Sequence, residues 1–435
     1  MFSKILIANR GEIAVRIIRA CKEMGIASVA VYSEADREAL HVALADESYC
    51  IGAPAASESY LNEARIVSAA LVSGAQAIHP GYGFLSENAR FARLCQQNGI
   101  VFIGPDADTM ARVGDKAGIK KLLAGTRLRP IPGTDALSSV EEALSAAAQI
   151  GYPVMLKACQ GGGGRGIRAV YSPEELRAGY PLAVAEGESA FGDGSVYLEK
   201  LISPARHIEV QILADEQGHA IALGERDCSV QRRHQKLIEE SPSPAVSPAQ
   251  RERLLADAAD AARALGYVGA GTMEFLMDAE GTFWFMEMNV RLQVEHGVTE
   301  LLTRKDLVKW QIRVAAGIPL PFEQRDIPCD GAVMECRINA LSPGRLRSLH
   351  VPGGPFVRFD TWLIPDAAVS PFYDSLLGKL IVYATTREEA LRKMRAALCE
   401  LVIDGIETNI GEQLRIIGDP RFVRGDYDLT IMEGR

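Results

Sequence analysis

The sequence has no Cys-x-x-Cys pair and no histidine spaced to partner its cysteines, although eight cysteines are scattered along its 435 residues. That excludes a zinc ribbon and a disulfide framework, and it points to a reducing compartment. No stretch approaches the roughly 18 uncharged apolar residues that a membrane span requires. The apolar run at the N-terminus, Ile5-Leu6-Ile7, is too short for a secretory signal, so a cytoplasmic location is expected. A basic excess is missing as well: 47 basic against 56 acidic side chains leave a net charge of -9, and no tail collects it. Nucleic-acid binding is therefore not expected. No Gly-x-Gly-x-x-Gly follows the first strand, no Gly-Lys-Ser/Thr follows the later glycine-rich segment, and no internal repeat or low-complexity tail is found.

What is present fits a large globular chain. At roughly 150 residues per domain the length predicts two to four domains, and the hydrophobic content of 48% is ordinary. The first hundred residues alternate short β-branched runs with amphipathic patterns: Ile5–Ile7, a helix over Ile13–Met24, Ser28–Tyr32, and a later strand at Ile100–Gly104. Such alternation predicts βαβ units and a parallel sheet, so the fold class is α/β. A second region begins near Asp115-Lys116. It carries Val154 to Ile167, in which Gly161, Gly162, Gly163 and Gly164 stand between two apolar runs. This is a β-turn-β element. It reads either as a flexible hairpin tip or as a loop whose N–H groups, helped by Lys157, fold over phosphates. Ser241 to Pro248 breaks regular structure before a helix at Ala249–Leu265. A third region is expected from about Arg325, after a helix over Asp306–Ala316.

The chemistry concentrates between Gly271 and Glu300. Two strand-like runs, Met273–Met277 and Thr282–Asn289, flank Asp278-Ala279-Glu280-Gly281 and predict a hairpin. Alternation places Glu287, Asn289 and Arg291 on one face and Trp284, Met286, Met288 and Val290 on the other, with Gln293 and Glu295 continuing the polar face if the chain stays extended. Glu274, Glu287 and Asn289 are hard oxygen donors of the kind magnesium takes. Arg291 offers a fork for an oxyanion, and Glu295 offers a base. The competing reading is a solvated, salt-bridged hairpin face. A second polar run extends from Glu225 to Lys236, where shared strand parity would let His234 and Lys236 reach one phosphate or bicarbonate.

Together these stretches resemble the biotin carboxylase family of the ATP-grasp superfamily. The matching segments are Ile7 to Ala14, His79 to Asn88, the glycine loop, Glu225 to Lys236, Phe285 to Glu300, Glu335 to Ala340, and Tyr373-Asp374-Ser375. The resemblance implies a Rossmann-like N-terminal domain at 1–114 and an ATP-grasp domain at 115–325, with a glycine-rich lid over about 130–203. A mixed α/β C-terminal domain would occupy 326–435. It implies ATP-dependent formation of N1-carboxybiotin from bicarbonate by way of carboxyphosphate. Lys116, Lys157 and Gly161 to Gly164 would hold ATP phosphates. Glu199, Lys200, Leu201 and Ile202 would lie along the adenine, with His207, Gln231, His234 and Leu276 lining the nucleotide site. Glu274, Glu287 and Asn289 would ligate one or two Mg²⁺ or Mn²⁺. Lys236, Arg291, Gln293 and Val294 would hold bicarbonate, Glu295 would deprotonate it, and Arg337 would steady the biotin oxygen. A biotin carboxyl carrier protein, carboxyltransferase subunits and a homodimer, with Asp374 near the matching motif, are the implied partners. No Met-Lys-Met sequence occurs, so biotin is expected on a separate carrier.

Departures from the family pattern are Gln160 for a glycine, Val290 for threonine and Gly297 for proline, the last expected to loosen the turn after the base. A shortened Leu341-Ser342-Pro343-Gly344-Arg345 also follows Asn339. These departures motivate a second reading, a nucleotide-binding paralogue with a regulatory or assembly role. A third would be an acyl-phosphate ligase acting on a different substrate.

Overall fold

The computed structural model of the protein describes residues 1–114, 116–159 and 166–433; the side chains of Lys116, Ala117, Ala190 and Phe191 lie outside that description, as do Gln160 and Gly161 to Gly164 of the expected lid. The N-terminal sheet has the strand order β3-β2-β1-β4-β5, with β1 at Lys4–Ile7, β2 at Ala27–Ser33, β3 at Glu47–Gly52, β4 at Ala77–His79 and β5 at Val101–Phe102. All four pairings are parallel, as the alternating pattern predicts. Ile5 and Ile7 pack with Ile13 and Ile17 of the helix Gly11–Glu23, while Leu6 packs on the opposite side with Ile66 and Phe91. A strand covered on both faces needs an unbroken apolar run, which is what Ile5–Ile7 supplies.

The glycine-rich segment sits between β6 (Val154–Ala158) and β7 (Ile167–Val170), which pair antiparallel; β8 (Val196–Lys200) flanks β6 to complete a small sheet. This small sheet is held to the rest of the molecule through the segment before it. Pro130 bridges Phe285, and the backbone N–H of Ile131 donates to the Phe285 carbonyl at 3.1 Å.

The large sheet comprises β9 (Ala205–Ala214), β10 (Ala220–Arg232), β11 (Gln235–Ser241), β12 (Gly269–Asp278), β13 (Phe283–Asn289), β14 (Ala332–Asn339), β17 (Val357–Thr361) and β19 (Leu376–Ala384). Two short pairs, β15 (Gly344–Arg345) with β18 (Ala368–Val369) and β16 (Ser348–His350) with β20 (Val402–Asp404), lie outside it. Its order is β13-β12-β9-β10-β11-β14-β19-β17. The β11–β14 pairing, from Ile238↔Cys336 to Ser241↔Val333, carries the sheet without a break past residue 325. The helix expected at Ala249–Leu265 forms at Pro248–Ala264. It opens with a capping box between Ser247 and Gln250 and with proline in its first turn, where the missing N–H costs nothing. Among the described residues, no helix is long and apolar enough to cross a membrane.

Candidate functional site

Strand register lines up charged side chains across the large sheet. Glu287 of β13 stands opposite Glu274 of β12, Glu274 opposite Glu209 of β9, and Glu209 opposite Arg226 of β10. Like charges directly opposite one another are destabilising, so three in-register carboxylates require cations among them. Several are supplied. The Lys236 ammonium from β11 contacts Glu209 and lies 2.7 Å from Glu295 and 3.4 Å from Glu274. The fully buried Arg226 donates to Glu209 at 3.1 Å, to Gln211 and Thr299 at 2.8 Å, and to Thr272 at 3.3 Å. His207 Nε2 stands 3.2 Å from Glu209 and 3.1 Å from Glu274. Burial opposes charge on this imidazole, but the two carboxylates overcome it and raise its pKa to about 9. Burial likewise opposes ionisation of Glu209, yet Lys236, His207 and Arg226 hold it well below the ordinary carboxylate range.

β13 ends at Asn289, and a turn brings the next polar side chains to the row. Arg291 donates to Glu87 at 2.9 Å, to Gln293 at 2.8 Å and to the Asn289 side-chain oxygen at 3.1 Å. Gln293 and Asn289 both donate to Glu274, at 3.1 and 2.7 Å. Glu295, at the start of the helix His296–Thr303, is held between two cations: Lys236 on one oxygen and Arg337 on the other, at 2.9 Å. Burial would raise its pKa, but Lys236 and Arg337 keep it lowered, so the carboxylate is ionised. Arg337 also donates to Glu239 at 2.6 Å.

On the small sheet, the buried Glu199 carboxylate is shared by Lys157 at 2.5 Å and Lys120 at 2.7 Å. Lys200 turns aside to donate to the carbonyls of Gly151 and Tyr152. Leu201 and Ile202 follow β8, half-buried, and Leu276 pairs with His207 across β12 and β9. Gln231 lies 3.0 Å from the other nitrogen of His207. Asp374, exposed, lines a cleft of about 350 Å³ with Arg10, Glu12, Tyr82, Phe84 and Tyr373.

Four expectations need correction. His234 does not share strand parity with Lys236: Arg232 pairs with Gln235, so Arg233 and His234 form a two-residue turn with φ of +51° and +63°, and His234 is exposed. The hairpin over Asp278–Gly281 forms, with Gly281 at φ +77°, but the faces of β13 do not simply alternate. Glu274 pairs with Glu287 and Phe275 with Phe285, so Met286 is an extra residue and the bulge moves Phe285 onto the core face with Met288 and Val290. Arg291, Gln293 and Glu295 arrive by the turn instead of an extended strand. Nor is the turn after Glu295 loose, because a Cβ on Gly297 would lie 2.4 Å from Ile381 Cδ1.

Sequence reading assigned no individual role to Glu209, Arg226 and Glu239, all fully buried, or to Lys120 and Glu87, although Arg226 and Glu87 lie in the segments it singled out. His207-Ile208-Glu209-Val210-Gln211 alternates polar with apolar, and that pattern could have marked Glu209 as sharing the His207 face.

A parallel sheet leading to an antiparallel one, with a small sheet whose Glu199 is shared by Lys157 and the helical Lys120 and a row of carboxylates and cations on the large sheet, defines an ATP-grasp enzyme. The family model for the biotin carboxylase N-terminal domain matches residues 1–110. That for the carbamoyl-phosphate synthase L chain ATP-binding domain matches 115–323, and that for the biotin carboxylase C-terminal domain matches 335–434. Biotin carboxylase 1 of Bacillus subtilis is 50% identical over 100% of this chain and 98% of its own, and biotin carboxylase of Nostoc is 51% identical over 99% of each. The biotin carboxylase domain of Hydrogenobacter thermophilus 2-oxoglutarate carboxylase, crystallised as a dimer with MgADP, ADP and bicarbonate, has a TM-score of 0.97 at 48% identity, covering 100% of this chain and 97% of that one. The chain belongs to the biotin carboxylase family.

Proposed function

We propose that the chain carboxylates biotin at the expense of ATP, forming N1-carboxybiotin, ADP and phosphate from bicarbonate by way of carboxyphosphate. The observation that carries this reading is the Glu295 carboxylate, fully buried and ionised between Lys236 and Arg337, on the turn that also presents Arg291 and Gln293. Bicarbonate is a weak nucleophile that must approach a polyanion and lose a proton. Lys236, Arg291, Gln293 and the Val294 backbone hold the anion, Arg291 with a bidentate fork, while Glu295 takes the proton. Lys116, Lys157 and Gly161 to Gly164 hold the phosphates. Glu199 to Ile202, His207, Gln231, Leu276 and His234 surround the rest of the nucleotide. The in-register oxygen donors Glu274 and Glu287, with Asn289, suit one or two Mg²⁺ or Mn²⁺, which would spread the phosphate charge. Arg337 stabilises charge developing on the biotin ureido oxygen.

In this reading biotin arrives on a carrier protein, the carboxyl group passes to a separate carboxyltransferase, and the chain works as a cytoplasmic homodimer. Relatives of similar identity include a pyruvate carboxylase subunit and a 2-oxoglutarate carboxylase domain, so the choice of acceptor rests with the partner. The test is ADP release from ATP and Mg²⁺ with and without bicarbonate and free biotin. Release dependent on both is expected, falling by about 10²–10⁴ in Glu295→Gln. ATP binding without biotin-stimulated turnover would overturn the reading in favour of a regulatory nucleotide-binding protein, and a requirement for an amine would replace biotin as the substrate.

A further inference from the structure

Two fully buried groups that contact neither the carboxylate row nor the paired lysines grip the backbone of the turn that carries Glu295. His296 Nδ1 lies 2.8 Å from the Gln293 carbonyl oxygen, and the Lys379 ammonium donates to the Val294 carbonyl at 2.7 Å. His296 follows the turn directly in sequence, whereas Lys379 reaches it only through the fold. Lys379 comes from β19, opposite Arg337 of β14, and its second partner is Glu12 of the N-terminal helix at 3.2 Å. Among the described residues His296 Nε2 has no hydrogen-bond partner, so the ring's hydrogen bond there is to the backbone and its proton resides on Nδ1. Burial and the nearby Lys379 hold the imidazole pKa well down, so the ring is neutral.

The geometry of a trans peptide gives these contacts a direction. In each planar unit the C=O and the following N–H point opposite ways. Drawing the Gln293 carbonyl toward His296 turns the Val294 N–H away from it, and holding the Val294 carbonyl against Lys379 fixes the plane that leads into Glu295. We propose that Lys379 and His296 are positioning residues that lock two consecutive peptide planes of this turn, aiming the Val294 N–H and the Glu295 carboxylate at the same bound bicarbonate. Through Lys379 the N-terminal helix and β19 both bear on the anion subsite. The inference rests on the biotin carboxylation proposed above and deepens its account of how bicarbonate is held.

The experiment measures kcat and the KM values for bicarbonate and for ATP, in biotin-dependent ADP release, for the full chain and for Lys379→Met, His296→Ala and His296→Asn. Misplacement of reacting groups by fractions of an ångström is costly, so Lys379→Met and His296→Ala are expected to raise the bicarbonate KM by about tenfold or more and to lower kcat, with the ATP KM changed less than about twofold. His296→Asn places an amide donor near the position of Nδ1 and is expected to retain bicarbonate KM within about threefold of the parent. Unchanged bicarbonate KM and kcat in a folded variant overturns the proposal. So does a parallel rise in both KM values, which marks general loosening, or an asparagine variant as impaired as the alanine one. Melting curves report folding, and if Lys379→Met does not fold, the two His296 variants decide. A parent chain that releases no ADP in response to bicarbonate and biotin overturns the catalytic reading and this proposal together. A parent that turns over beside indifferent variants overturns the positioning alone.

Discussion

Glu239 and Glu335 face each other directly across β11 and β14, both fully buried, and of these two carboxyl groups Arg337 donates to Glu239. Burial raises Glu239 to about 7 against the pull of Arg337, and burial with the neighbouring Glu239 raises Glu335 further, so Glu335 is a neutral acid. The sign of the pH effect follows. Between its ordinary value of 4.5 and about 7, the folded chain retains a proton on Glu239 that the unfolded chain has released. Stability from this site therefore falls as pH rises through that window and levels off above it, with a limiting slope of about 1.4 kcal/mol per pH unit. Glu239→Gln removes the titration while keeping an oxygen for Arg337. Urea denaturation of both proteins from pH 5 to 8 is expected to show the variant gaining on the parent up to about pH 7, and a constant difference would contradict the assignment. At this scale the sequence was readable where polar residues cluster along one segment: Glu274, Arg291, Gln293 and Glu295 do converge, although a turn after Asn289 brings them together and not the extended alternation their spacing suggested. It was unreadable in the partners of Glu209: the alternation in β9 marks its face, but Arg226 and Lys236 meet it from strands that only the fold makes adjacent.

The helix His296–Thr303 is the element that most tightly couples packing to the site, because its first residues follow the base directly. Gly297 leaves no room between that helix and the buried Ile381 of β19. Forcing a methyl group into such a contact usually costs about 1–3 kcal/mol. Gly297→Ala is expected to lower stability by about that amount, measured by chemical denaturation, and Ile381→Val should recover part of it by removing the methyl that clashes. Independent, additive losses in the double variant would place the strain elsewhere. Elements themselves were legible from short-range pattern: the parallel strands from β-branched runs, the hairpin from Asp278–Gly281, and the helix Pro248–Ala264 from the break that precedes it. The bulge at Met286 was not, since a single inserted residue leaves the composition of a strand unchanged while exchanging its faces.

Across the whole molecule, the large sheet joins the carboxylate row, Lys236, Arg337 and Lys379 on consecutive or neighbouring strands, whereas Lys157 and Glu199 belong to the small sheet. The continuity of the large sheet past residue 325 could not be read from sequence, because β11 and β14 pair over a separation of about ninety residues and antiparallel partners leave no local mark. On the reading proposed above, Lys157 of the small sheet would hold phosphate while Lys236, Arg291 and Arg337 would hold bicarbonate and biotin, so displacing the small sheet would change the gap between phosphate and bicarbonate and leave the gap between bicarbonate and Arg337 as it was. Motion of one sheet past another drags solvent, and chemistry within a single sheet does not. Thickening the medium with sucrose is therefore expected to slow bicarbonate-dependent ATP cleavage in single-turnover measurements more than the ensuing transfer to free biotin. Equal slowing of both would mean that friction is felt on the biotin side as well.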